Sequence, residues 1–170
     1  MTEKPTVAIV GGGVIGCAVA RELAPDYDVT LVERGQIAGG ATALSAGLIT
    51  MTPSYSDVPA IPNVANAFFR DYDGTGEFNF AERASVEVVP PEREGESRRR
   101  VERLRDSGVD VAFIEKDTLD ERYPQLSSEG FVGGIEFTDT GWVDPYTLAT
   151  TLRADAADRG VTIKTETAVE

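Results

Sequence analysis

Thr6-Val7-Ala8-Ile9-Val10-Gly11-Gly12-Gly13-Val14-Ile15-Gly16 is the stretch whose reading decides the fold. Its first five residues, apolar and rich in β-branched types, predict a strand buried on both faces, as in a parallel sheet. The strand runs straight into Gly11, Gly13 and Gly16, which fit the G-x-G-x-x-G spacing. In that spacing the first glycine makes a tight turn and the second lets a diphosphate approach bare backbone. The third lets helix and strand pack closely. Val14 to Ala24 carries apolar residues at helical spacing and stops at Pro25, so the amides at its start, on Val14 and Ile15, would face the phosphates. A second strand, Asp28 to Glu33, ends in a carboxylate placed to accept hydrogen bonds from an adenosine ribose.

A glycine pattern alone is weak, because flexible loops match it by chance. Here strand, turn, helix, strand and acid fall in order, which reads as a dinucleotide-binding unit rather than a glycine-rich turn of an unrelated α/β protein. Glu33 would repel a 2′-phosphate, which disfavours NADP; FAD and NAD both keep the free hydroxyl. Arg34 beside it reads first as a solvated side chain at a strand end.

The formal net charge is −13, from 29 acids against 16 bases, and the only lysines are Lys4, Lys116 and Lys164. That surface argues against nucleic acid or an anionic membrane as partner. It resembles the acidic proteins of salt-loving microbes, a merely acidic mesophilic protein being the alternative. The absence of histidine excludes a histidine triad, a histidine metal site and a histidyl flavin linkage within these residues, and no metal site is expected. One cysteine, Cys17, permits no internal disulfide or redox pair; it reads as small buried packing, with a reducing cytoplasm as the expected compartment. The short polar N-terminus and the lack of a long apolar run read as neither signal peptide nor membrane span.

Further along, Ala41 to Ile49 concentrates small residues and hydroxyls, which suits either close approach to a ligand or a helix start. Pro53 to Pro62 reads as irregular, Val64 to Tyr72 as a helix with Phe68 and Phe69 toward a core, and Asp73 to Gly76 as a turn. Phe78 to Val89 predicts one or two strands, and Glu92 to Asp106 a charged helix whose Arg98-Arg99-Arg100 pairs with acids on the same solvated face. Gly108 closes it. A strand over Val109 to Ile114, a short helix capped by Asp117 and a strand over Phe131 to Phe137 follow. Asp144 and Pro145 then begin a helix that Gly160 ends, ahead of a strand over Val161 to Lys164.

The glycine fingerprint with Glu33, the segment Gly40-x-Thr42-x-x-Ser45-Ala46-Gly47-Leu48-Ile49, and Gly141-Trp142-Val143-Asp144-Pro145 occur in that order. Together they resemble the N-terminal half of the FAD-dependent amine and amino-acid oxidoreductases, the superfamily of D-amino-acid oxidase, glycine oxidase and sarcosine oxidase. Flavin-dependent glycerol-3-phosphate dehydrogenases share it. The resemblance implies an α/β fold: a Rossmann-like FAD-binding domain with a parallel sheet, formed by residues 1–80 and 141–170. Residues 85–140 would begin an inserted α+β substrate domain, and the chain would be incomplete. The cofactor implied is FAD, held by Gly11, Gly13, Val14, Ile15, Gly16, Glu33 and Arg34. Thr42 would lie at the pyrophosphate and Ser45, Ala46, Gly47 and Leu48 beside the isoalloxazine, with the Val169 backbone at the adenine. The whole enzyme would oxidise the CH–NH bond of an amino acid or secondary amine by hydride transfer to flavin, and the imine would then be hydrolysed. Its partners would be that small-molecule substrate and a second copy or a partner subunit. No residue here has a defensible catalytic role; such residues are expected beyond residue 170. The alternatives are an NAD-dependent dehydrogenase, which leaves the Thr42 to Ile49 segment unexplained, and a truncated, non-catalytic nucleotide-binding subunit.

Overall fold

The structure is a computed structural model that describes residues 3–50 and 60–170. The chain divides into two compact units. One comprises Met1–Gly47, Asp73–Asn79 and Val143–Glu170; the other comprises Leu48–Tyr72 and Phe80–Trp142. The chain leaves the first unit at Gly47, returns to it for Asp73–Asn79 and enters it again at Val143.

In the first unit β1 (Thr6–Val10), α1 (Val14–Leu23) and β2 (Asp28–Val32) form the expected succession of strand, helix and parallel strand. Val7 lies opposite Val29 and Ile9 opposite Leu31. These four share one face, where Val29 and Leu31 are buried and Ile9 comes close to Gly16 of α1. Thr6, Ala8 and Val10 are exposed, so the expectation of a strand buried on both faces is corrected. The reason is topological. β1 is the edge of a sheet ordered β1-β2-β9, and no described element of the unit lies over that face.

The third strand, β9 (Thr162–Lys164), pairs parallel to β2 with Thr30 opposite Thr162. It is delivered by α5 (Pro145–Asp158), whose start follows the sequence closely: the Asp144 carboxylate accepts the Thr147 N–H at 2.9 Å, and Pro145 takes the first turn. Gly160, at φ 93°, closes it. Helix α5 packs on α1 with its Leu148, Ala149, Leu152 and Ala156 buried, and Arg21 pairs between the helices with Asp155, which Arg159 also holds.

The second unit carries two sheets. In one, β3 (Leu48–Ile49) lies antiparallel to β8 (Gly141–Val143) with Leu48 opposite Trp142, and β4 (Phe80–Glu82) flanks β8 on its other side. The other has β7 (Gly133–Phe137) between β5 (Ser85–Val89) and β6 (Val111–Glu115), antiparallel to both. Glycine is needed at the start of β7, because a Cβ on Gly133 would lie 2.2 Å from the Ile114 carbonyl oxygen.

Helix α2 (Ala60–Tyr72) starts before the expected Val64 and takes in Pro62, a residue tolerated in a first turn; the rest of the stretch read as irregular, 53–59, lies outside the described residues. Helix α3 (Glu94–Asp106), entered through a 3-10 turn at Pro91–Arg93, packs Val101 and Leu104 onto Ile135 and Phe137. Its arginines are not all paired along one solvated face. Arg98 reaches Glu115 as well as Glu94 and lies over the Phe113 ring, and the largely buried Arg100 pairs with Glu87 of β5 at 2.9 Å. Helix α4 (Lys116–Arg122) is preceded by Glu115 with no side-chain cap, so Asp117 sits inside the first turn, where its charge suits the helix dipole, and does not cap it.

Candidate functional site

A cleft of about 690 Å³ opens over the turn between β1 and α1, wholly within the first unit. Gly11 makes the turn at φ 112°, a conformation glycine adopts without strain, and its N–H donates to the Val32 carbonyl at 2.8 Å. Gly16 lets the helix approach the strand end: a Cβ there would lie 1.9 Å from the Gly11 carbonyl oxygen. Gly13 has a role the spacing did not show. A Cβ on it would lie 3.0 Å from the Thr42 hydroxyl, so this glycine clears room for a side chain of the protein as well as for a ligand.

Glu33 lines the cleft just beyond β2, and both of its carboxylate oxygens are engaged. Oε2 accepts the Gly12 N–H at 2.7 Å and Oε1 the Gly35 N–H at 2.8 Å. These backbone donors, Gly12 first and then Gly35, hold the carboxyl below its usual range and keep it ionised. Each oxygen retains a lone pair for a further donor. Gly12 and Gly35 were missed in the sequence because the fingerprint leaves both positions free. Ala38 was missed too. It is buried in the left-handed region at φ 63° and donates its N–H to the Gly12 carbonyl at 2.9 Å, tying the second loop to the glycine turn. No sequence signal marks a left-handed alanine.

The segment Ala41 to Leu44 is turn rather than the start of a helix. Thr42 is 9% exposed, and its Oγ1 accepts the Val14 N–H at 3.0 Å. Of the sequence candidates, Gly11, Gly13, Val14, Ile15, Gly16, Glu33, Arg34, Thr42 and Ser45 line this one cleft. Val169 lines a neighbouring cavity of about 430 Å³ with Gly11, Glu33 and Arg34. Ala46, Gly47 and Leu48 line neither. Gly47, at φ 68°, accepts the Val143 N–H and donates to Ser45 Oγ, while Leu48 begins β3 in the second unit.

Behind the turn, Cys17 is fully buried with its thiol 3.6 Å from the Gly12 carbonyl, and burial pushes its pKa up to about 11. It is packing, not a nucleophile. Among the described residues no cluster of side chains suits a metal ion, and no helix is long and apolar enough to cross a membrane.

The cleft thus offers free helix amides for an anion, an ionised carboxylate for hydroxyl donors and an apolar wall that includes Val10 and Ile15. Comparison with known proteins gives this arrangement its context. The chain is 30% identical over 179 residues to the anaerobic glycerol-3-phosphate dehydrogenase subunit A1 of Haloferax volcanii, covering 99% of this chain and 29% of that protein. It is 28% identical over 172 residues to the glycine oxidase of Geobacillus kaustophilus, covering 94% of this chain and 45% of that one. The crystal structure of L-proline dehydrogenase from P. horikoshii superposes with a TM-score of 0.87 at 22% identity, over all of this chain and 46% of that one, a likeness of fold. The chain therefore spans less than half the length of each. Residues 6–170 match the FAD dependent oxidoreductase family, and the chain belongs to it.

Proposed function

We propose that this chain is the FAD-binding portion of an oxidoreductase acting on the CH–NH bond of an amino acid or secondary amine. One observation carries the reading: the anion-binding turn, the ionised Glu33 and the buried Thr42 hydroxyl converge on a single cleft. The residues present fit FAD. Val10 and Ile15 are 68% and 76% exposed on the cleft wall, large apolar surface that an adenosine diphosphate moiety would cover. The glycine turn leaves no side chain in the path of a diphosphate, and Glu33 suits an unmodified ribose.

In this reading residues 1–80 and 141–170 serve the cofactor, and 85–140 begin the substrate-binding part. The amides of Ile15 and Gly16, with Thr42, would hold the diphosphate, and Val14, whose N–H Thr42 takes, would line it. Glu33 and Arg34 would hold the ribose side, Val169 the adenine side, and Ser45 to Leu48 the ring side. When bound, FAD supplies the two-electron acceptor for oxidation of the substrate carbon. The chain's own contribution is orientation: dipole and amides fix the anion, and Glu33, ionised across neutral pH, braces the glycine turn through Gly12.

The test is a visible absorption spectrum of protein purified in high salt, which suits its charge of −13, with mass spectrometry of the released cofactor. A flavin spectrum and released FAD support the reading; a folded, colourless protein that refuses added FAD refutes it. Amine oxidation is then assayed on the full-length protein with amino acids, N-methylated amino acids and glycerol 3-phosphate. The last is included because of the Haloferax volcanii relative, and turnover of it alone would replace the amine reading.

A further inference from the structure

Leu48 lines neither cavity, and the residue that faces it across the strand pair is Trp142. Residues directly opposite in an antiparallel pair project to the same side of the sheet. Both are exposed there, Leu48 by 67% and Trp142 by 45%. The other side is closed. Gly141 and Val143 are buried, and Gly141 makes room for the Phe80 ring, which a Cβ would meet at 2.4 Å. Strand β8 therefore keeps its glycine and valine inward and turns its aromatic residue outward. A large apolar pair on an outward face is surface that a ligand or another segment covers.

The chain on either side of the pair says which. Ser45 lines the cofactor cleft, and its hydroxyl accepts the Gly47 N–H at 3.2 Å. The Gly47 carbonyl in turn accepts the Val143 N–H at 2.9 Å. Leu48 follows Gly47 and Trp142 precedes Val143, and three residues of chain from Ser45 reach about 11 Å at most. Ser45 to Leu48 serve the ring side of FAD in the reading given above. A substrate oxidised there has its reacting carbon against the ring. The group borne by that carbon then falls within reach of Leu48 and of the tryptophan opposite it.

We propose that Leu48 and Trp142 form an apolar wall on which the side chain of the amine substrate rests, with Trp142 setting a preference for an amino acid that carries a large apolar side chain over glycine. Apolar contact of this kind discriminates by the surface that the substrate covers, and an indole offers more of it than any other side chain. The wall rests on the reading of this chain as the FAD-binding portion of an amine oxidoreductase.

The experiment uses the full-length protein with FAD bound and measures kcat/KM for racemic leucine and for glycine, per bound flavin, in the unmodified protein, Trp142→Phe and Trp142→Ala. Leucine is expected to be the better substrate by about tenfold or more. The leucine-to-glycine ratio should fall about tenfold in Trp142→Ala and about threefold or less in Trp142→Phe. A second readout needs no turnover. Trp142 is the only tryptophan among these 170 residues, and isocaproate, which is leucine without its amine, should change its fluorescence where acetate does not, read as the difference from Trp142→Phe. A ratio that Trp142→Ala leaves unmoved overturns the proposal, whether both substrates lose equally or neither does; the face is then covered by another part of the protein or by a partner. Glycine as the preferred substrate overturns it too, as does fluorescence that isocaproate leaves unchanged. Should Trp142→Ala not fold, Trp142→Gln takes its place in the ratio. A protein without flavin refutes the FAD reading, and turnover of glycerol 3-phosphate alone refutes the amine reading; the wall falls with either.

Discussion

Replacing Gly16 with alanine sets two effects of opposite sign against each other. Gly16 is the third residue of α1, and within a helix alanine is favoured over glycine by about 1 kcal/mol. Against this, the new methyl would lie 1.9 Å from the Gly11 carbonyl oxygen and 3.1 Å from its carbon. Since carbon and oxygen approach in relaxed contacts to about 3.3 Å, the turn must move by more than about 1 Å. Gly11 is backbone and cannot rotate aside; it is also fixed by the hydrogen bond from its N–H to Val32. Overpacking of this kind costs about 1–3 kcal/mol, toward the upper end where backbone must shift, so the net loss is about 1–2 kcal/mol. For a chain of this size that is a fall in Tm of about 2–8 °C, read by circular dichroism in high salt. Binding of FAD should fall with it, because the displaced turn carries the anion-binding amides. Gly40→Ala is the control for stability: a Cβ there meets nothing within 4 Å, and Tm should not fall. A Gly16→Ala protein that melts at or above the unmodified protein and binds FAD as well would refute the reasoning.

Loss of the Asp144 cap in Asp144→Ala should cost about 1 kcal/mol, with Asp144→Asn recovering most of it, as thermal melts will show. Because Glu33 has a folded pKa below the usual 4.5, its stabilising contribution is complete above that value and is lost as pH falls through the folded value. The advantage of the unmodified protein over Glu33→Gln in melts should therefore shrink below pH 4.5. Cys17, with a pKa near 11, should react with a thiol reagent only after denaturation; labelling of the native protein at the rate of a free thiol would contradict its burial. The same shift has the opposite pH sense to that of Glu33. Cys17 costs nothing below pH 9, the ordinary thiol value, and draws stability away between there and about 11, so Cys17→Ala should flatten that alkaline decline.

What the sequence disclosed were features written in adjacent residues. The strand, turn, helix and strand from Thr6 to Val32, and the Asp144–Pro145 start of α5, depend on local patterning and capping, and each appears within a residue or two of its expected place. Strands of two and three residues such as β3 and β8 have too little pattern to read and exist because each supplies the other's hydrogen bonds. The exposed face of β1 was hidden for a related reason, since an apolar run reports a strand's character and not which neighbours cover it. In the site, the glycines and Glu33 were legible as types in a spacing. Their partners were not: the Gly12 and Gly35 amides on Glu33, and the Val14 amide on Thr42, are long-range or backbone contacts with no motif.

The first unit also has a history built into its connectivity. Its sheet draws β9 from residues that follow the second unit in sequence, and the ion pair that ties α1 to α5 joins residues 134 positions apart. The sheet β5-β7-β6, by contrast, closes within residues 85–137. Contacts of such wide separation are slow to form, because a long loop must close before any of them contributes. On a chain emerging from the ribosome the second unit's sheet can therefore be complete while β2 still waits for its outer neighbour. A product halted before Pro145 would present the edge of β2 unpaired, a template for pairing with another chain, and would aggregate through the very strands that carry the glycine turn.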